Sequence, residues 1–492
     1  MAETLPKFES ARTTVICEDA MSCGRVVLYV LVGALAALFA IPAPSILSVE
    51  NVDACIQASK AQKPGALPSF SLRKNAEFDV ILFGATGFTG NLTARYLSRQ
   101  QTHRNFTFAI AGRSQRKLDT LASSLPHPPS IFVADAGDLD ALRALVRRTK
   151  VLITTAGPFA DFGKLLVQAC AEEGTHYADL SGEFFFQRDM IRDHHKTAQN
   201  SGAKIVVAAG YDSLPFDIGA NLALSALHDA DPATHKQPVS IVAGVTKSRG
   251  WLSGGTTASV KGMWADILSG NVSLSDSQDA YLLVPGADKC RVDTEASGWG
   301  VFPRYDYTLK TFGVPHFMAY VNARIVRRSM ALLGHGALVS YGEGLTFGAI
   351  FDAAVFATPF LWHGHVSVMP APGEGPPETM QRDGGFTCRV MATSSNAKTG
   401  ETVSTQVDIT GRGDVGYAHT SKLLAEVGLC LADVACHHAS VGGGVLTTAS
   451  ATAVPELVRR LRAAMHEDGR PLLVFDVTSV ATGSTDRPSV EL

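Results

Sequence analysis

From residue 78 onward, apolar residues concentrate in short strand-like runs separated by segments with helical spacing. The runs are 80–83, 106–111, 131–134, 151–155, 176–180 and 204–209, and the helix-like segments between them are 92–99, 116–125, 139–148, 162–173 and 188–200. A run such as Ile205-Val206-Val207-Ala208-Ala209 suits a strand buried on both faces, and parallel strands need crossovers of this length. Six such alternations predict an α/β fold over 77–220, a doubly wound parallel sheet covered by helices on both faces.

The pattern loosens after about Ala220. Strand-like pieces at 239–245, 302–307, 386–391 and 403–409 predict an inserted α+β domain over 221–412, for substrate and dimerisation. Helical stretches at 417–431 and 454–465 and a last strand near 472–477 make 413–492 a tail whose helices return to the first domain. Residues 1–76 stand apart as an extension. Its apolar segment 26–41 would reach roughly 24 Å as a helix, short of the ~30 Å hydrocarbon layer, and reads as a signal peptide, a membrane anchor or a core helix. A second apolar stretch, 345–362, follows Arg324, Arg327 and Arg328. It reads as a core helix or as a contact with an anionic lipid surface, and Asp352 and Pro359 argue against a plain spanning helix.

At 492 residues, with 46% hydrophobic and 18% charged, the chain is globular and multidomain. A net charge of −3 argues against binding nucleic acid through its phosphates. The eight cysteines include no Cys-x-x-Cys, which points to a thiol-reduced protein with no structural metal. Cys430, Cys436, His437 and His438 are read as packing residues, and His194-His195 as a solvated helix face.

Gly84-Ala85-Thr86-Gly87-Phe88-Thr89-Gly90 stands between the first strand and the first helix. Gly84 allows a tight turn, Gly87 lets main-chain N–H groups approach a diphosphate, and Gly90 lets the helix pack on the sheet. In this position the glycines make the first domain a Rossmann-type nucleotide-binding unit. An NAD site would place a carboxylate at the end of the second strand. Here Ala111-Gly112-Arg113 is followed by Arg116 and Lys117, which favours NADP(H), with Arg113 and Lys117 on the 2′-phosphate. Asp135 would flank the adenine. Ala156 and Gly157 would pass beneath the nicotinamide ribose, with Phe159 covering the ring.

These motifs, with Thr155-Ala156-Gly157-Pro158-Phe159, Tyr177-Ala178-Asp179-Leu180-Ser181-Gly182-Glu183 and Gly210-Tyr211-Asp212-Ser213-Leu214-Pro215, occur in an order that resembles the saccharopine dehydrogenase-like oxidoreductases and the trans-acting enoyl reductases. The stretches 253–256 and 370–376 also look like that family, and the resemblance runs from about 78 to 465. It implies a saccharopine reductase-like fold: a Rossmann domain interrupted by an α+β domain. It also implies reduction of a double bond in lipid synthesis, with eukaryotic relatives on lipid droplets and mitochondria. Tyr211 and Phe216 depart from the family pattern, where Phe and a small residue are usual.

Reduction of a C=C or C=N bond needs a hydride from the cofactor and a proton from a side chain or water. The candidate acids are Tyr177, Asp179, Glu183 and Asp212. The 253–257 segment is read as an oxygen-holding helix start or an ordinary cap. The leading expectation is an NADP(H)-dependent oxidoreductase acting on a hydrophobic or lipid-linked substrate, homodimeric, and associated with a lipid droplet, mitochondrion or endomembrane. The alternative is a catalytically silent NADP-binding scaffold on a membrane or lipid-droplet surface. Saccharopine itself would need a basic cleft, for which Lys247 and Arg249 are the only obvious pair.

Overall fold

Alternating residues of the first strand enter two different cores, as both-face burial demands. β1 (Phe78–Phe83) sends Val80 and Leu82 into one apolar cluster and Ile81 and Phe83 into another across the sheet. The structure is a computed structural model that describes residues 76–249, 259, 262, 269–270, 272–286, 304–316, 318–346, 375–395 and 401–484. The apolar segment 26–41, the 347–362 part of the second apolar stretch, and the segments 253–256 and 370–374 lie outside the described residues.

The chain then alternates. Helix α1 (Phe88–Gln100) precedes β2 (Phe108–Gly112), α2 (Gln115–Ser123) precedes β3 (Ser130–Val133), and α3 (Leu139–Val146) precedes β4 (Thr149–Thr154). Next come the short α4 (Phe159–Phe162), α5 (Lys164–Glu173), β5 (His176–Ala178), α6 (Phe184–Ser201) and β6 (Lys204–Val206). With a late strand β13 (Gly444–Leu446), the sheet runs β3-β2-β1-β4-β5-β6-β13, and every pairing in it is parallel. The chain moves outward from β1 through β2 and β3, then crosses to β4 on the other side of β1. That reversal opens a crevice above the carboxyl ends of β1 and β4, where open α/β sheets bind ligands.

After α7 (Leu214–Ala230) the second sheet begins. Its strands are β7 (Val239–Arg249), β8 (Arg304–Asp306), β9 (Thr311–Pro315), β10 (Val339–Thr346), β11 (Gly385–Ser395), β12 (Glu401–Arg412) and β14 (Leu473–Ser484), with α8 (Ala319–Leu332) between β9 and β10. Their order is β14-β12-β11-β7-β10-β9-β8. Only β7 and β10 pair in parallel, so the sheet is mixed. Val239, Ile241, Ala243 and Val245 alternate inward from β7 and share a core with α7.

The tail divides between the two sheets. Helix α9 (Thr420–Leu431) returns to the first sheet, where the buried Glu426 accepts from Tyr96 Oη at 2.7 Å and from Arg104 Nη2 at 3.0 Å. β14, in contrast, joins β12 at the edge of the second sheet, away from the domain to which the sequence assigned the tail. Cys430 and Cys436, expected as thiols, are joined in a disulfide where the chain turns back after α9, with Cα atoms 5.3 Å apart. His195 is not a solvated residue either. Its Nδ1 accepts from Val445 N at 3.1 Å, so it ties α6 to β13.

The arginines 324, 327 and 328, which one of the two readings turned toward anionic headgroups, are buried on α8. Arg324 donates to the carbonyls of Asp279 and Ser277, Arg327 to that of Tyr341, and Arg328 to that of Leu283. Buried guanidinium groups must find acceptors, and here they hold the 277–283 segment against α8. Among the described residues no helix is long and apolar enough to cross a membrane.

Candidate functional site

The crevice is formed mainly by backbone. Gly84 leaves β1 with φ +76°, and a Cβ at that position would lie 2.8 Å from Ala156 N. A Cβ on Gly90 would stand 2.3 Å from Gly84 O. The β1 turn, the first turn of α1 and the loop after β4 therefore interlock main chain to main chain. Thr155 Oγ1 reinforces the contact by donating to Gly84 O at 3.1 Å. Ala85 is fully buried beneath the turn, while Thr86 and Thr89 are half-buried and Gly87 and Gly157 are exposed.

Gly87 is the N-cap of α1, and no side chain caps that helix. The helix start therefore keeps its N–H donors and partial positive charge for an anion. The Phe88 ring turns away from this start. It packs edge-on against Tyr417 at 5.6 Å, and a Cβ on Gly375 would come within 2.3 Å of it. Phe88 can thus contribute only its N–H to a diphosphate, while its ring fastens the loop to the returning chain.

Arg113 stands exposed just beyond β2, followed by the exposed Arg116 and Lys117. The charged side-chain ends of the three make no hydrogen bond or ion pair with a described residue, and the nearby Asp119 accepts from Gln115. The end of β2 therefore offers cations and no opposing carboxylate, which suits a 2′-phosphate. Asp135, exposed beyond β3, accepts from Gly137 N at 2.8 Å and shapes the turn leading to α3. A bare helix start beside a free guanidinium fits the phosphates of NADP(H). When bound, that cofactor supplies hydride chemistry at the crevice.

The expected acids separate sharply. Tyr177 is fully buried and donates to Asp179 Oδ2 at 2.9 Å. Asp179 Oδ1 accepts from Ser181 N at 2.9 Å, Ser181 Oγ at 2.8 Å and Ala208 N at 3.0 Å. This knot clamps the end of β5 to the end of β6. Burial pushes the Asp179 carboxyl up to about 6 despite these donors, and lifts the Tyr177 phenol well above its ordinary value. The polar atoms of Tyr177 and Asp179 are thus engaged with one another and with neighbouring main chain at the end of β5. Glu183 is engaged too: it accepts from Phe159 N at 2.9 Å and Ala160 N at 2.6 Å, and Ser259 Oγ donates to it at 2.7 Å. It thereby holds the loop after β4 in place from the β5 side. Phe159, expected to cover the nicotinamide, is buried against Phe186 with ring centroids 6.1 Å apart.

Asp212 differs from all of these. It lies in the loop between β6 and α7, half-buried, and its carboxylate accepts no hydrogen bond from a described residue. Burial pushes it up to about 6; the charge of His316 pulls it down and that of Glu343 pushes it up. His316 and Glu343 escaped the sequence reading. His316 Nδ1 lies 2.6 Å from Glu343 Oε1, Asn322 Nδ2 donates to the same oxygen at 2.8 Å, and Tyr341 Oη donates to Oε2 at 3.0 Å. Ser213 Oγ donates to Asn322 Oδ1 at 3.1 Å and so links the cluster to the start of α7. A glutamate fully buried on the otherwise uncharged strand β10 needs partners, but its burial is not visible in the sequence. Tyr211 packs edge-on against Phe386 at 4.6 Å and against Phe216 at 6.1 Å, a buried aromatic cluster next to Asp212 in sequence.

Lys247 is exposed on β7, and no converging basic set for a dicarboxylate appears among the described residues. No group of three or more His, Cys, Asp or Glu among them could hold a metal ion. An open depression of about 560 Å³ is lined by 101–106 and His127. It lies past the end of α1 and before β2, at the amino end of that strand, whereas the crevice lies beyond the carboxyl ends.

Residues 80–206 match the family described as the saccharopine dehydrogenase NADP binding domain. A relative from Mycobacterium tuberculosis is 33% identical over 426 residues, 79% of this chain and 96% of its own length. A trans-acting enoyl reductase from Mycobacterium ulcerans is 32% identical over 414 residues, 76% of this chain and 93% of its own. Among solved structures, apo saccharopine dehydrogenase (L-Glu forming) from Saccharomyces cerevisiae aligns over 82% of this chain at 11% identity, with a TM-score of 0.42.

Proposed function

Because the chain belongs to the trans-acting enoyl reductase family, built on a saccharopine dehydrogenase NADP-binding domain, we propose that it reduces a conjugated C=C bond in a hydrophobic acyl substrate. It is an NADP(H)-dependent oxidoreductase. The observation that carries the reading is the pairing of an uncapped helix start at Gly87 with the free guanidinium of Arg113. The first receives a diphosphate and the second distinguishes a phosphorylated ribose.

The chain's own residues divide the remaining work. Gly84, Gly90 and Ala156 fix the turn that receives the cofactor's phosphates, and Glu183 fixes the loop after β4 by capping α4. Tyr211, Phe216 and Phe386 are buried and pack together as the apolar support next to the polar cluster around Asp212. A lipid-linked substrate and a membrane or lipid-droplet location extend this reading. Their support is the apolar sequence at 26–41 and 345–362.

The test is NADPH consumption with enoyl thioesters of increasing chain length, compared with an imine substrate. The expected result is turnover with the thioesters that improves with chain length and vanishes in Gly87→Trp. Turnover with the imine alone would contradict the choice of bond. NADPH binding without turnover of either would favour the scaffold.

A further inference from the structure

Reduction of a conjugated C=C bond takes up one hydride and one proton. The reading above supplies the first through NADPH and leaves the donor of the second unnamed. We propose that Asp212 is that proton donor, with Glu343 and His316 as its positioning residues.

Three aspartates lie around this part of the fold, and two are fully engaged. Asp179 receives four hydrogen bonds in its knot. Asp217, fully buried in α7, accepts from the Ser329 hydroxyl and from Ala449 N. Giving up a proton from either site would mean breaking a buried network that holds elements together. Asp212 has no such duty, and as a half-buried residue it keeps access to solvent. Around it the donors of Asn322 and Tyr341 are directed to Glu343, which fixes that carboxylate in place beside Asp212. The titratable groups around Asp212 are Tyr211 on its own loop, His316 ahead of α8 and Glu343 on β10, with Tyr341 and Cys388 next to Glu343. Burial lifts both tyrosines and Cys388, so they stay neutral near pH 6.

The hydride bonds to the β-carbon, and the π electrons move to the α-carbon and the thioester carbonyl. The Asp212 O–H bond breaks as its proton bonds to the α-carbon, and its electron pair stays on the carboxylate. Asp212 then recovers a proton from water. Below pH about 6 the acid is loaded, and the rate falls as pH rises through that value. Glu343→Gln removes a charge that favours the protonated acid, so the falling limb moves to lower pH. His316→Gln removes a charge that opposes it, so the limb moves to higher pH.

The experiment has two readouts on the full chain with NADPH bound. One is reduction of a medium-chain trans-enoyl N-acetylcysteamine thioester. The other is carbon-13 NMR titration of the Asp212 carboxyl, assigned by its loss in Asp212→Asn, and it needs no turnover. Asp212→Asn should bind NADPH within about twofold of the parent and reduce the thioester at least ~100-fold more slowly, with Asp212→Glu recovering part of the rate. The carboxyl should titrate near 6 and move in opposite directions in Glu343→Gln and His316→Gln. Full activity in Asp212→Asn overturns the proposal, as does a carboxyl that titrates at the ordinary value near ~4 and ignores both substitutions. Failure of the parent to bind NADPH would instead refute the functional reading, and the titration would still decide whether Asp212 is the uncommitted acid.

Discussion

The turn after β1 and the polar cluster around Asp212 lie beyond carboxyl ends of the same parallel sheet, yet they are built in opposite ways. The turn is main chain: Gly84, Gly87 and Gly90 lie within seven residues, and what matters is the absence of side chains. The cluster is side chain: Asp212, His316, Asn322, Tyr341 and Glu343 come from a loop, a helix and a strand far apart in sequence. A site made of backbone tolerates almost no added atoms at its contacts. A site made of side chains tolerates substitution of shape but responds to every change of charge.

The largest effect expected from that contrast is at Gly90. Gly90→Val places a branched Cβ against Gly84 O and Ala85 Cα and should cost more than about 4 kcal/mol, seen as loss of cooperative thermal unfolding by circular dichroism. Retention of a normal melting curve would show that the interlock is loose.

The Asp179 knot gives a pH-dependent effect of roughly 3 kcal/mol. Its folded value near 6 exceeds the unfolded value near 3.8, so the native state binds its proton more tightly. The knot's contribution is therefore fully present below about pH 4 and declines as pH rises through 6. Urea unfolding of the parent and of Asp179→Asn at pH 4, 5, 6 and 7 should show the stability difference falling steadily in that direction. A flat difference would mean that Asp179 is ionised throughout.

Gly87 is the smaller counterpart of Gly90. Its φ of −73° suits any residue, so Gly87→Trp should melt within a few degrees of the parent while NADPH affinity falls at least ~100-fold, about 2.7 kcal/mol. Equal loss of fold and affinity would erase the distinction between a packing glycine and a binding glycine.

What the sequence revealed follows the same division. The strand and helix alternation was legible because burial on both faces leaves short, mostly apolar runs, and the glycine turn because its chemistry is local. His316 and Glu343 were not, since 27 residues of chain separate two side chains that meet at 2.6 Å. Tyr177 and Asp179 stood among the candidate acids for a related reason. Strand-end position shows which residues approach the crevice, but not which already bond to the neighbouring strand. The three arginines of α8 looked like a surface patch because sequence does not show the carbonyls that receive them.

The smallest difference bears most directly on the cofactor. Isothermal titration of the parent and of Arg113→Ala with NADPH and with NADH measures how far one exposed guanidinium sets the choice. The parent should prefer NADPH, and Arg113→Ala should weaken NADPH about 10- to 100-fold while leaving NADH nearly unchanged. Equal affinity of the parent for both cofactors, or parallel losses in the variant, would contradict it.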